Sequence, residues 1–226
     1  MSAFLYGVLS SLAASALALV LGLLRGSRPL WWLVAACSRY TGTGLGRIYR
    51  RQSAAEQDLA RDLRQARWIK VLAGRGNVLT REVFSPLWSG ELSPESIQVL
   101  LPDPRAQGDS WLDRRSDDLG RFDPGFTPDL LRAQVQANID YLTRVARTQH
   151  HFELRGFNLP NTCRVIATDR AAYLTFYTSS AHGRNTPCLY ARSPGLLYSI
   201  ALQQFDTTWL NSHPALSPPP AGPASA

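Results

Sequence analysis

The sequence predicts an N-terminal transmembrane helix followed by a mixed-sheet α/β domain, and three stretches carry that expectation. Ala3 to Leu24 reads "AFLYGVLSSLAASALALVLGLL", without charge or proline; at about 1.5 Å per residue, its length matches a hydrocarbon core of roughly 30 Å. "WIKVLAGRGNVLTREVFSPLW", followed by "SIQVLLPD", runs strand, turn, helix, strand, the order of a parallel pair with a crossover connection. "CRVIATDRAAYLTFY" reads as two apolar strands joined at Asp169 and Arg170, an antiparallel hairpin. A chain of 226 residues with 45% hydrophobic and 18% charged residues has room for one such domain and an appendage.

Residues 1–28 are expected to hold the transmembrane helix. No basic residues precede the apolar run, as they would in a cleaved secretory signal. Arg25, Arg28, Arg39, Arg47, Arg50 and Arg51 follow it. By the positive-inside rule, the expected protein is single-pass in the inner (cytoplasmic) membrane, with its N-terminus outside and its C-terminal domain cytoplasmic. Its small residues, among them Ala13, Ala14, Ser15 and Ala18, would let two helices approach closely.

Residues 29–52 read as a juxtamembrane interfacial segment and linker. Trp31, Trp32 and Tyr40 are aromatic anchors of the headgroup type, on a segment that either lies in the interface or re-enters the membrane. "TGTGLG" at 41–46 lacks the preceding strand and following Lys-Ser/Thr of a phosphate loop, so a flexible linker is expected. Residues 53–67 are predicted to form a connecting helix. Ser53 and Glu56 stand at capping-box spacing, and Ala55, Leu59, Leu63 and Ala66 form one stripe.

The α/β domain is expected over 68–213. After its first strands comes a polar loop, "RAQGDSWLDRRSDDLGRFDPGF". A helix then starts with Thr127 as N-cap and Pro128 at its first position. Strands "HFELRGFN" and "PCLYARS" and a terminal helix, "GLLYSIALQQFDTTWLNSHP", complete the domain. The Pro-rich segment 214–226 has too little apolar content to fold and reads as a disordered tail.

Cys37, Cys163 and Cys188 have no metal-ligand spacing. No paired carboxylates or Ser-His-Asp order are evident. Neither a metal nor a cofactor is expected. The net charge of +7 suits an anionic partner.

The order of these elements, with "CRVIATDRAAYLTFY" at its centre and "SPGLLYSIALQQFDTTW" at its close, resembles one half-domain of the phospholipase D superfamily over roughly residues 68 to 212. The resemblance implies an α/β sandwich half-domain. That family's motif places a nucleophilic histidine two positions before a lysine and an aspartate five beyond the lysine. Here those positions hold Thr162, Arg164 and Asp169. The nucleophile is missing, and no catalytic residue is assigned. A threonine hydroxyl needs an adjacent base. Arg164 retains a fork suited to phosphate oxygens. Asp169 either orients Arg164 or starts the hairpin turn.

A second candidate site is "LAGRGN", where Arg75 and Asn77 would meet an anion at a strand end and helix start; a plain tight turn is the other reading. His182 is a pocket histidine or a solvated one. The candidate ligand-binding set is therefore Thr162, Arg164, Asp169, Arg75, Asn77 and His182.

The expected function is a membrane-tethered, non-catalytic sensor or effector that binds a phosphorylated or nucleotide ligand. Its layout resembles small membrane effectors of prokaryotic antiviral signalling. An active membrane-anchored phosphodiesterase with an altered motif and an interaction scaffold at the membrane are the alternatives. Expected partners are the lipid bilayer, a second copy in a homodimer, as the superfamily resemblance implies, and a phosphorylated small ligand or nucleotide.

Overall fold

The computed structural model describes residues 14–15, 27–80, 82–106, 110–121, 123–178 and 183–215, with the backbone alone for 27–33. The domain is built on β2 (Trp68–Leu72), β3 (Ser96–Pro102) and β4 (Phe152–Phe157), which pair in parallel. The Val-, Ile- and Leu-rich texture of β2 and β3 suits strands covered on both faces. From β2 the sheet continues antiparallel through β5 (Cys163–Thr168), β6 (Ala171–Phe176), β7 (Cys188–Arg192) and β1 (Leu45–Tyr49). Beyond β4 lies the two-residue β8 (His213–Pro214). The full order is β1-β7-β6-β5-β2-β3-β4-β8, a mixed sheet as the sequence predicts.

Alternation along each strand divides the core in two. Ile69, Val71, Ile97, Val99 and Ile166 face one side with Leu59 and Leu63 of α2 (Glu56–Arg64), Leu119 of α4 (Trp111–Gly120) and Leu131 and Val135 of α5 (Pro128–Ala146). Leu72, Leu100, Val165, Ala172 and Leu174 face the other with Tyr198, Ala201 and Phe205 of α6 (Leu196–Leu210). The remaining helices are α1 (Ser27–Tyr40) and the single turn α3 (Ser85–Trp88). Thr127 caps α5 by accepting the Leu130 N–H at 3.2 Å, and the hairpin turns at Asp169 and Arg170, both as expected.

Among the described residues, no helix is long and apolar enough to cross a membrane. That finding corrects the expected architecture of a transmembrane helix joined to a domain, and the inner-membrane placement with it. Ala3–Leu24, on which that helix was expected, lies outside the described residues apart from Ala14 and Ser15. The comparison with membrane effectors of antiviral signalling rested on that helix and falls with it.

The domain also begins earlier than 68. The expected linker contributes β1, an edge strand against β7. The expected connecting helix is core, with Ala55, Leu59 and Leu63 buried. Ser53 makes no capping box, because Gln52–Ala55 is a 3-10 turn and α2 starts at Glu56 without a side-chain cap. Docking of α2 uses polar groups as well: Asp62 accepts a hydrogen bond from Tyr173 at 2.6 Å, and Asp58 accepts one from Tyr49.

"TGTGLG" is neither a phosphate loop nor a free linker. The carbonyls of Gly42 and Thr43 accept the N–H groups of Leu196 and Leu197, each at 3.0 Å, so this loop satisfies the first donors of α6. Gly44 has a φ of +73° and packs against Gly195, where a Cβ would come within 2.8 Å of backbone. The tail boundary shifts as well, since Pro214 pairs with Arg155 of β4; the rest of the expected tail, from 216 onward, lies outside the described residues.

Candidate anion-binding site

At the C-terminal end of β2 and the N-terminal end of β5 opens a cavity of about 360 Å³. Four arginines line it, Arg75, Arg115, Arg164 and Arg184, with Asp123 as the one carboxylate among the described lining residues. Each arrives on a different element. Arg75 follows β2, Arg115 sits mid-way along α4, Arg164 is the second residue of β5, and Arg184 precedes β7.

The β2 turn is fixed by small residues and an amide. A Cβ at Gly74 would come within 2.9 Å of Trp111 and of the Tyr177 hydroxyl, and Gly76 has a φ of +85°; both positions therefore call for glycine. Asn138 Nδ2 on α5 donates to the Arg75 carbonyl at 2.7 Å and to Asn77 Oδ1 at 2.8 Å. Arg75 Nη1 donates to Gln134 Oε1 at 3.2 Å, and its guanidinium lies 5.0 Å from the Phe126 ring centroid.

The deep wall is Tyr177 flanked by two arginines. The hydroxyl of Tyr177 accepts the Gly74 N–H at 2.7 Å. Arg115 and Arg164 are each 9% exposed. The Arg115 guanidinium lies 5.0 Å from the Tyr177 ring centroid, and its Nη1 donates to the Thr178 carbonyl at 3.2 Å. Arg164 Nη2 reaches the Gly183 carbonyl at 3.5 Å. Burial pulls the Arg115 guanidinium below the usual arginine value, from a level so high that it stays charged. Burial pushes the Tyr177 phenol up, against the opposing pull of Arg164, the Gly74 N–H and Arg115.

The segment expected to be a polar loop folds at Trp111–Gly120 into α4, which carries Arg115. Ser110 caps it by accepting the Asp113 N–H at 3.2 Å. Arg132 of α5 ties the cap down through Asp113, both of whose oxygens lie 2.8 Å from Nη2. Burial alone raises the Asp113 carboxyl, but hydrogen bonds from Ser110 and Arg132 outweigh it and hold the group below the usual carboxylate range.

Of the six candidate residues, Arg75, Asn77 and Arg164 line the cavity. Thr162 is exposed and off its wall. Asp169 stands at the far end of β5, five residues and about 17 Å from Arg164 along the strand. There it accepts the Arg67 N–H at 2.9 Å and Arg67 Nε at 3.4 Å. Its turn role holds, and the expected orientation of Arg164 by Asp169 does not. His182 lies outside the described residues. No helix starts at Asn77; turns follow, and the first helix afterwards is the four-residue α3. The anion site expected there has no helix terminus to draw on. The candidate set lacks Arg115, Tyr177 and Arg184, which line the cavity, and the Ser110–Asp113 cap was the one signal that could have revealed α4.

Among the described lining residues there is no histidine, cysteine, serine, threonine or lysine, and no group of three metal-ligating side chains occurs among the described residues. The wall is built for holding negative charge.

No family model and no curated protein matches the sequence. Similar solved structures include Nuc from Salmonella typhimurium, a phospholipase D family member, at 11% identity over 76% of this chain and 97% of that one, with a TM-score of 0.46. They also include NucT from Helicobacter pylori, at 11% identity over 74% and 97%, with a TM-score of 0.41. TrmBL2, an archaeal chromatin protein with a novel mode of DNA binding, matches at 10% identity over 92% and 70%, with a TM-score of 0.44. At TM-scores below 0.5 these are loose likenesses in the course of the chain, and they assign it neither a family nor a chemistry.

Proposed function

We propose that this chain is a non-catalytic binding module of phospholipase D-like architecture whose cavity takes a phosphate-bearing ligand, such as a nucleotide. One observation carries the reading: four guanidiniums from four separate elements line one cavity against a single described carboxylate. Guanidinium forks bind phosphate oxygens with directional, charge-assisted hydrogen bonds. A cavity at the C-terminal end of a parallel strand is a common ligand position in α/β sheets. Turnover has little support, because Thr162 stands where the family nucleophile would be and lies off the wall, and the described wall offers no histidine, cysteine or lysine to replace it. A module that binds without reacting suits a sensor, and a homodimer belongs to the same proposal.

The test is calorimetric titration of the full chain with inorganic phosphate and nucleoside phosphates, alongside a phosphodiesterase assay on generic nucleotide and lipid diesters. Binding without turnover supports the reading. Turnover abolished in a Thr162→Ala variant would sink it, and absence of any binding would leave the cationic wall without a ligand.

A further inference from the structure

Phosphate recognition leaves part of the cavity unused. Gln52, in the 3-10 turn that follows β1, is 4% exposed and lines the same cavity as the arginines. Its backbone N–H donates to the Thr186 carbonyl at 2.9 Å, and the next N–H, of Ser53, donates to the Arg184 carbonyl at 3.4 Å, which fixes the residue beside the segment that brings Arg184 to the wall. Its side-chain amide has no hydrogen-bond partner among the described residues. A buried amide left unpaired is costly, because it gives up the hydrogen bonds it made in water.

The chemistry of that amide defines the group it would take. A carboxamide carries an acceptor oxygen beside two N–H donors. Phosphate oxygens at neutral pH accept hydrogen bonds and leave the amide oxygen unserved, so a ligand that satisfies Gln52 brings a donor next to an acceptor. Ala73, Val78, Leu119 and Phe126 also give the cavity apolar wall that a phosphate does not use. A nucleobase combines the two requirements: its faces stack on apolar and aromatic groups, and its edge sets donors beside acceptors, which glutamine reads in bidentate fashion. Sugar hydroxyls donate and accept as well, but they leave the apolar wall bare.

We propose that Gln52 reads the edge of a nucleobase, so that the ligand is a nucleotide recognised at both ends, its phosphate by the arginines and its base by this amide. The inference rests on the phosphate-binding reading above and adds a specificity-determining residue to it. At about 360 Å³, the cavity falls within the roughly 300–1,000 Å³ of small-molecule sites.

The test is calorimetric titration of the full chain with ribose 5-phosphate and with the 5′-monophosphates of adenosine, guanosine, cytidine and uridine, which add a base to it. At least one nucleotide should bind about tenfold or more tighter than ribose 5-phosphate. Gln52→Leu and Gln52→Met remove the amide and keep most of its bulk; in either, the ratio of nucleotide to ribose 5-phosphate affinity should fall to about one. Because the ratio is taken within each variant, a general loss of binding does not imitate the effect. Ribose 5-phosphate binding as tightly as every nucleotide overturns this inference and leaves the phosphate-binding reading intact. A preference for a nucleotide that survives both substitutions also overturns it, and binding of none of the five overturns both readings. The comparison of nucleotide with ribose 5-phosphate is made on the unaltered chain, so it stands even where a variant does not fold.

Discussion

The two ends of β5 put similar residues to opposite uses. At the turn end, the polar groups close on one another. Asp169 accepts the N–H and Nε of Arg67. Thr168 Oγ1 accepts the N–H groups of Arg170 and Ala171 at 3.2 Å, and the Thr168 carbonyl accepts the Tyr198 hydroxyl at 2.8 Å. Arg170 Nη1 donates to Gln65 at 2.6 Å. At the other end, Arg164 and its neighbours Tyr177 and Arg115 line a cavity, where they bond the backbone of Gly183, Gly74 and Thr178. Polarity that closes on itself holds the fold together, whereas polarity gathered around an open space prepares for a ligand. A charged residue on this strand is informative about function through the direction it faces rather than its type.

Four experiments break or sharpen that contrast, the first with the largest expected effect. Arg164→Gln should lower affinity for inorganic phosphate by about 10- to 100-fold, the loss expected for a charge-assisted hydrogen bond, with the fold intact by circular dichroism; unchanged affinity would place the two ends of β5 on the same footing. Asp169→Ala should do the reverse. It removes the acceptor of an exposed Arg67 N–H, so denaturant melts should show a loss of about 0.5–1.5 kcal/mol while phosphate affinity stays the same.

Acid should loosen the anchor of α4 at the cavity end. The Asp113 carboxyl is depressed in the folded chain, so its contribution is complete above the unfolded value of about 3.9 and fades as pH falls through the lower folded value. Stability measured from neutral pH downward should therefore fall more shallowly below about pH 4 in Asp113→Asn than in the parent chain. The smallest effect concerns Cys163, which neighbours Arg164 in sequence but faces α6. Burial pushes its thiol up to about 11. In a Cys37→Ser background, alkylation of Cys163 should be slow in the folded chain and indifferent to added phosphate. Protection by phosphate would mean that the ligand reaches the opposite face of the sheet.

Much of the sheet was legible in the residues because it follows from local pattern. Apolar runs gave β2 and β3, the Asp-Arg pair gave the β5–β6 turn, and Thr127-Pro128 gave the start of α5. The site was legible by half. Arg75, Asn77 and Arg164 could be singled out because they sit at strand ends. Arg115 was hidden in a segment whose Asp and Arg content reads as a solvated loop; what makes it a helix is the Ser110 cap and Arg132, 19 positions beyond Asp113 in sequence. Likewise β1 had too short an apolar run to declare itself, and its strand state depends on pairing with β7. Spacing set Asp169 beside Arg164 in the motif, but an extended strand separates residues five apart, and no pattern of residue types reveals that without the strand's length.

The seal formed by Gly42, Thr43 and Gly44 on the start of α6 has a mechanical side. Two carbonyls hold the helix's first N–H groups, a third holds the N–H of Arg192, and the Ser193 N–H beside it is bound to the Arg170 carbonyl in the β5–β6 turn. Residues 42–44 are therefore tied to the start of α6 directly and to the β5 hairpin within two links.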